Sequence, residues 1–246
     1  MRSVLKKYAW IPAGLILLLL VGFIIWASAT PPPLPIVEET LQSDSKVTVA
    51  NNRWIVFSPV NEDPTRGLIF YPGGRVDPEA YAPLARRLAE HGYLVVIVPM
   101  PLNLAVFDQR AADKVISEFP EIQSWAIAGH SLGGAMAASY VASRPAEVKA
   151  LGLLASYPPS SADLSDVPIL VSSIYATNDG LATLEDINAS RILLPESTGW
   201  TEIEGGNHSQ FGALEELPGD HPADISFEEQ LNQTTAALLS LLQSIK

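Results

Sequence analysis

From about Lys46 to the C-terminus, short runs of β-branched and aromatic residues alternate with stretches whose apolar positions recur at helical spacing. That alternation predicts an α/β domain, a mainly parallel central sheet with helices on both faces. Residues 47–50 and 53–57 flank Asn51-Asn52, a pair suited to a tight hairpin turn at positive φ, and are expected as the antiparallel edge. Further strands are expected at 67–71, 93–99, 124–128, 149–155, 169–176 and 200–203. Between them, Asp77 and Pro78 supply an N-cap and first-turn proline for a helix that runs to His91 and stops at Gly92. Two more helices are expected at about 109–119 and 132–143. A last one, at 226–245, is opened by a Ser226/Glu229 capping box.

The N-terminus breaks this rhythm. Residues 8–29 form an almost uninterrupted apolar run without a charge, long enough as a helix to cross a hydrocarbon layer about 30 Å thick. Arg2, Lys6 and Lys7 precede it and the next basic residue is Lys46, so the positive-inside rule puts Met1 in the cytoplasm and the rest outside. The expectation is a single-pass transmembrane helix holding the domain at the outer face of a cell membrane. Secretion after cleavage is the alternative, because Ala27-Ser28-Ala29 has the small-x-small form of a processing site. The apolar core is longer than a usual signal region of about 7–15 residues, which favours the retained anchor. The chain then divides into an anchor or signal segment at 1–30, a proline-rich linker at 31–45 begun by Pro31-Pro32-Pro33, and a domain at 46–246.

Composition narrows the chemistry. With 246 residues and 48% hydrophobic content the chain supports one sizeable core. It has no cysteine, which removes disulfides, thiolate metal sites and a cysteine nucleophile, and no metal-ligand cluster stands out. Removing Arg2, Lys6 and Lys7 from the formal charge of −12 leaves −15 for the remainder. A surface of that sign repels nucleic acid and anionic headgroups.

Gly129-His130-Ser131-Leu132-Gly133 fits G-x-S-x-G between an expected strand and an expected helix, where the motif has physical meaning. A turn that tight strains the central residue, and only glycine two places either side avoids collision. Ser131 is the candidate nucleophile, and the Leu132 amide at the helix start is a candidate oxyanion donor. A packing or phosphate-binding glycine turn is the competing view, but neither G-x-G-x-x-G nor Gly-Lys-Ser/Thr is present.

A serine hydroxyl needs an imidazole to take its proton and a carboxylate to fix the ring's tautomer. Of the four histidines, His91 ends a surface helix, His130 lies inside the elbow and His221 sits in a polar loop. His208, in Gly205-Gly206-Asn207-His208-Ser209 after the last expected strand, is the candidate base. Asp179, in Ala176-Thr177-Asn178-Asp179-Gly180 at the end of another strand, is the candidate acid. Asp163 and Asp166 are outsiders, and Asn-Asp-Gly is also ordinary turn chemistry. The second oxyanion donor is expected from Tyr71-Pro72-Gly73-Gly74-Arg75, at Gly74, or at Arg75 if the loop aligns one residue later.

These segments resemble the α/β-hydrolase superfamily over about residues 47–246. The narrower likeness is to its small, lid-poor members related to the dienelactone-hydrolase-like group. The order Ser131, Asp179, His208 is the order of that fold. The resemblance implies a carboxylesterase-like serine hydrolase without cofactor or metal. Ser131 would form an acyl-enzyme, His208 would shuttle the proton, Asp179 would steady His208, and the amides of Leu132 and Gly74 would bind the oxyanion. Pro72 departs from the histidine common in that loop, and Ser131 stands where dienelactone hydrolases carry cysteine, so their substrate does not transfer. Only residues 156–168 separate two expected strands where relatives insert a cap, which predicts an open site for modest esters or the ends of larger surface molecules. Esters, thioesters, amides and lactones remain open, as does the oligomeric state. A non-catalytic binding domain of the same fold and an acyltransferase are the alternative readings. Asn188, Asn207 and Asn232 each begin an Asn-x-Ser/Thr sequon, and a glycan at Asn207 would crowd His208.

Overall fold

The computed structural model describes residues 10–245. Eight strands form one sheet: β1 (Val47–Asn51), β2 (Ile55–Pro59), β3 (Arg66–Tyr71), β4 (Leu94–Ile97), β5 (Ser124–His130), β6 (Ala150–Leu154), β7 (Leu170–Ala176) and β8 (Gly199–Ile203). Their order is β1-β2-β4-β3-β5-β6-β7-β8. β2 pairs antiparallel with both β1 and β4, and every other pairing is parallel.

Alternation along each strand serves two cores. In β3, Leu68 and Phe70 face one side while Ile69 and Tyr71 face the other, as the pleat requires. Helices α3 (Ala82–Ala89) and α7 (Phe227–Gln243) bury Leu84, Leu88, Leu231 and Leu238 in the first core. Helices α4 (Ala111–Glu118) and α5 (Leu132–Ser143) bury Val115, Met136 and Val141 in the second. The expected α/β domain with both sheet faces covered is therefore present.

Local differences have local causes. The edge hairpin turns on Asn52, Arg53 and Trp54, with Asn51 opposite Ile55, and neither asparagine of the expected pair takes positive φ. The expected helix at 78–91 is divided into a 3-10 turn, Pro78–Tyr81, and α3, which ends at Ala89, two residues earlier than expected; the chain then turns through Gly92 at φ 89°. Helix α6 (Leu184–Ser190) was not expected. It is short, and a Thr183/Asp186 capping box starts it. In the capping of α7, Ser226 Oγ accepts from the Glu229 amide at 3.2 Å.

The N-terminal expectation needs correction. The apolar run forms α1 (Trp10–Ser28), and among the described residues no helix is long and apolar enough to cross a membrane. The last turns, moreover, belong to the domain. Ala27 is fully buried, Phe23 meets Phe107 edge-on at 6.3 Å, and Arg75 Cζ lies 4.3 Å from the Trp26 ring centre. The basic residues Arg2, Lys6 and Lys7, on which the orientation rested, lie outside the described residues. The segment expected as a stiff linker also packs down. Leu34 donates to Ala213 O at 2.8 Å, and α2 (Ile36–Thr40) buries Val37.

Candidate active site

Ser131 joins β5 directly to α5 and adopts φ 51°, ψ −123°, a backbone region that side-chain-bearing residues avoid. The surroundings enforce it. A Cβ on Gly129 would come within 2.5 Å of the Gly133 carbonyl carbon, and one on Gly133 would strike the carbonyl oxygens of Tyr71 and Pro72. Strand and helix can approach this closely only with glycine at both places. Ser131 N–H donates to Leu154 O at 2.9 Å, and its carbonyl accepts from Ser156 Oγ at 2.7 Å, so the strained residue is held from both sides. The side chain is half-buried at the start of α5, where the first-turn amides, that of Leu132 among them, lack intrahelical acceptors.

His208 lies in the loop after β8 and is 2% exposed. Its Nδ1 is 2.9 Å from Asp179 Oδ2 and 3.1 Å from Oδ1. A carboxylate oxygen accepts, so the proton of this bond lies on Nδ1 and the ring's Nε2 is left to face the elbow. Asp179 also accepts from the amides of Leu181 (2.8 Å) and Ala182 (2.6 Å), which fixes its turn at the end of β7. The outsiders Asp163 and Asp166 are exposed, and Asp163 is used locally on Ser165 N. His91 is exposed, with Nδ1 on Arg87 O. His221 is exposed as well, and its carbonyl accepts from Asn207 Nδ2 at 2.8 Å. Asn207 is thus buried and engaged, with no room for a glycan.

The structure brings His208 to the elbow through His130, whose ring centre lies 4.4 Å from that of His208. Ser131 Oγ and His208 form no hydrogen bond in this structure among the described residues. Such contacts commonly close only with substrate bound.

Gly74 packs against Leu132, with a Cβ there falling 2.9 Å from Leu132 Cδ2. The Gly74 amide has no acceptor among the described residues, whereas that of Arg75 donates to Asn103 O at 2.8 Å. Between the two candidates, therefore, Gly74 has the free donor. Below the loop, the Gly73 amide donates to Tyr81 Oη at 2.9 Å, and that hydroxyl is 2.8 Å from His130 Nδ1. Burial pushes the Tyr81 phenol well above its ordinary pKa, so it stays protonated.

Three residues absent from the expectations hold the site together. Tyr81 ties the Gly73 loop to the elbow. Gln230 of α7, fully buried, binds Asn207 N at 3.0 Å and Asn207 O at 2.8 Å. Asp220, 8% exposed, accepts from Gly180, His208 and Ser209. Each is a single letter in an unremarkable stretch, and only tertiary proximity gives it a role.

Beside Ser131 lies a cleft of about 280 Å³ lined by Leu132, Ala135, Ala155, Tyr157, Leu181 and Ala182. None of these side chains is charged at neutral pH. Burial and the charges of Asp186 and Asp179 raise the pKa of the Tyr157 phenol. Between β6 and β7 the chain forms neither helix nor strand, so no cap domain is inserted there. No group of residues able to hold a metal ion occurs among the described residues.

The alpha/beta hydrolase family matches the sequence over residues 67–232. Three solved structures share the fold. An esterase domain from Rhodothermus marinus aligns at 15% identity and a TM-score of 0.57, over 79% of this chain and 96% of its own. A putative alpha/beta hydrolase from Agrobacterium tumefaciens does so at 19% and 0.56, over 80% and 96%. A carboxylesterase from Bacillus subtilis does so at 10% and 0.53, over 75% and 90%. At these identities the likeness is one of fold. No curated protein matches the chain. The matches reach the superfamily and do not extend to the dienelactone-hydrolase-like group.

Proposed function

The chain belongs to the alpha/beta hydrolase family, and from that premise we propose that it is a serine hydrolase cleaving modest carboxylic esters through an acyl-enzyme. The reading stands on the backbone of Ser131. A residue held at φ 51°, ψ −123° between β5 and α5 is strained at a cost of about 1–3 kcal/mol, and presenting a hydroxyl at the head of a helix is the use that offsets it.

In this reading Ser131 Oγ attacks the ester carbonyl while its proton passes to His208 Nε2, and the new C–O bond gives a tetrahedral oxyanion. The Leu132 and Gly74 amides hydrogen-bond that oxygen. The bond to the leaving alkoxy oxygen then breaks, and His208 returns the proton to release the alcohol. Water, deprotonated by His208, attacks the acyl-enzyme, and the acid leaves with Ser131 restored. Asp179 holds His208 in the Nδ1–H tautomer and stabilises the imidazolium formed in each half-reaction. The uncharged cleft supports an apolar, uncharged acyl portion, and the net charge of −12 disfavours anionic substrates.

The test is covalent labelling with a fluorophosphonate probe, which needs an activated serine. Wild type labels, and Ser131→Ala and His208→Ala do not. A folded wild type that fails to label, or a Ser131→Ala variant that still labels, overturns the assignment.

A further inference from the structure

We propose that Asp220 is a positioning residue of this site, its carboxylate joining the turn that carries Asp179 to the turn that carries His208. The inference rests on the reading of those two residues as acid and base.

Asp220 sits beyond Gly219, which turns the chain at φ 92°. Its Oδ1 accepts from the Gly180 amide at 3.1 Å and the His208 amide at 3.3 Å. Its Oδ2 accepts from the Ser209 amide at 2.8 Å and from Ser209 Oγ at 2.6 Å. Ser209 Oγ in turn accepts from the Leu217 amide at 2.8 Å, which closes the ring back onto the loop that carries Asp220. One buried carboxylate thus binds the residue after Asp179, the main chain of His208 and the residue after His208. The two loops also meet directly, Asn178 N–H donating to Gly206 O at 2.9 Å and Gly205 N–H to Thr177 Oγ1 at 2.8 Å, but those ties lie before Asp179 and before His208, whereas Asp220 binds the residues that follow them.

The charge itself adds a second effect. Among the described residues no lysine or arginine pairs with Asp220. Burial works to raise its pKa, and the bonds from Ser209, Gly180 and His221 outweigh burial, so it stays ionised. Around His208 stand Asp179 on Nδ1, the neutral His130 ring with its Tyr81 partner, and Asp220 on the main chain; Tyr157, near Asp179, and the exposed His221 complete the titratable surroundings. A negative charge there stabilises the imidazolium that forms as Ser131 loses its proton, so removing it lowers kcat.

The experiment uses the full chain with p-nitrophenyl acetate, each preparation being titrated with fluorophosphonate to count active sites. Asp220→Asn keeps the shape but sets an NH2 against amide donors. Per active site, its kcat falls about 10- to 100-fold, the scale of a small misplacement of reacting groups, with KM within about threefold. Ser209→Ala, a milder loss that keeps the carboxylate, lowers kcat per site less. If Asp220→Asn merely lowers the thermal midpoint and the fraction of titratable sites, with kcat per site as in wild type, the positioning role is overturned while the assignment of Ser131 stands. If wild type itself does not label, the assignment of Ser131 and His208 fails, and the role of Asp220 with it.

Discussion

The imidazole of His130 lies against that of His208, ring centres 4.4 Å apart and planes inclined at 48°. The residue before the candidate nucleophile thus forms part of the wall on which the candidate base rests. His130 is fully buried, and burial first, then the neighbouring His208, holds its pKa well below the ordinary 6.5. In the unfolded chain this ring takes up a proton near pH 6.5, while in the folded chain it stays neutral. Below that pH the unfolded state binds the extra proton, so the contribution to stability is complete above 6.5 and is lost as the pH falls. We expect urea unfolding free energies to decline below pH 6.5, with a slope from this group of up to about 1.4 kcal/mol per pH unit. His130→Asn flattens the decline by that slope. Parallel curves for wild type and variant would show that His130 is not the group responsible.

Tyr81 makes a second prediction. Its hydroxyl meets both the Gly73 amide and His130 Nδ1, so Tyr81→Phe leaves two buried polar groups without a partner at once. Each such group costs about 1–3 kcal/mol. The loop that presents Gly74 is released as well. Deleting an oxyanion donor outright costs about 10²–10³ in kcat, and a loosened donor costs less, about 10- to 100-fold. Stopped-flow and steady-state rates on one activated ester, beside a thermal melt, give both numbers. A variant that melts early but turns over at the wild-type rate would confine Tyr81 to folding.

The legibility of this chain in its sequence follows a physical divide. Ser131, its flanking glycines and the strand and helix around them are adjacent in sequence, so local sterics leave a local pattern. Asp179 and His208 could be named because each follows a strand on the same edge of the sheet, and the structure brings them together. Tyr81 lies 49 residues from His130, and Gln230 lies 23 from Asn207. No spacing rule reaches that far. The transmembrane expectation failed for a related reason, since hydropathy counts apolar residues and is blind to Trp26 being stacked under Arg75, Phe23 meeting Phe107 and Ala27 being buried. The edge hairpin has a three-residue turn where two were expected, so β1 ends one residue later and β2 begins two residues later, and the flanking pattern suits both turn lengths.

Arg75 connects the N-terminal helix to the loop of Gly74. Its guanidinium donates to Trp26 O at 3.0 Å and Ala29 O at 3.2 Å, carbonyls at the end of α1, and stacks over the Trp26 ring. A cation there also suits the negative end of the helix. Arg75→Ala keeps the same backbone demand, φ 58°, and removes only the tie. Cation–π and helix-end terms together predict a loss of about 1–2 kcal/mol in the docking of α1. Limited proteolysis between residues 20 and 35 should then accelerate several-fold, with a smaller drop in kcat as the Gly74 loop loosens. Unchanged cleavage rates would mean that α1 is held by its apolar contacts alone.

The cleft beside Ser131 sets the last prediction. At about 280 Å³ it has room for a short acyl chain, and its walls of Leu132, Leu181 and alanines give each buried methylene about 0.8 kcal/mol. In kcat/KM that is about fourfold per carbon. A series of p-nitrophenyl esters should therefore rise from acetate through propionate to butyrate by about that factor, then level off once the cleft is full. A terminal carboxylate, as in a succinyl ester, should forfeit the gain, because the cleft offers it no cation. Ala135, the fourth residue of α5, lines this space, so Ala135→Phe takes up part of it and should lower butyrate far more than acetate, reversing the order of the series. If the variant lowers all esters by one common factor, the acyl group does not lie in this cleft and the leaving alcohol must occupy it instead.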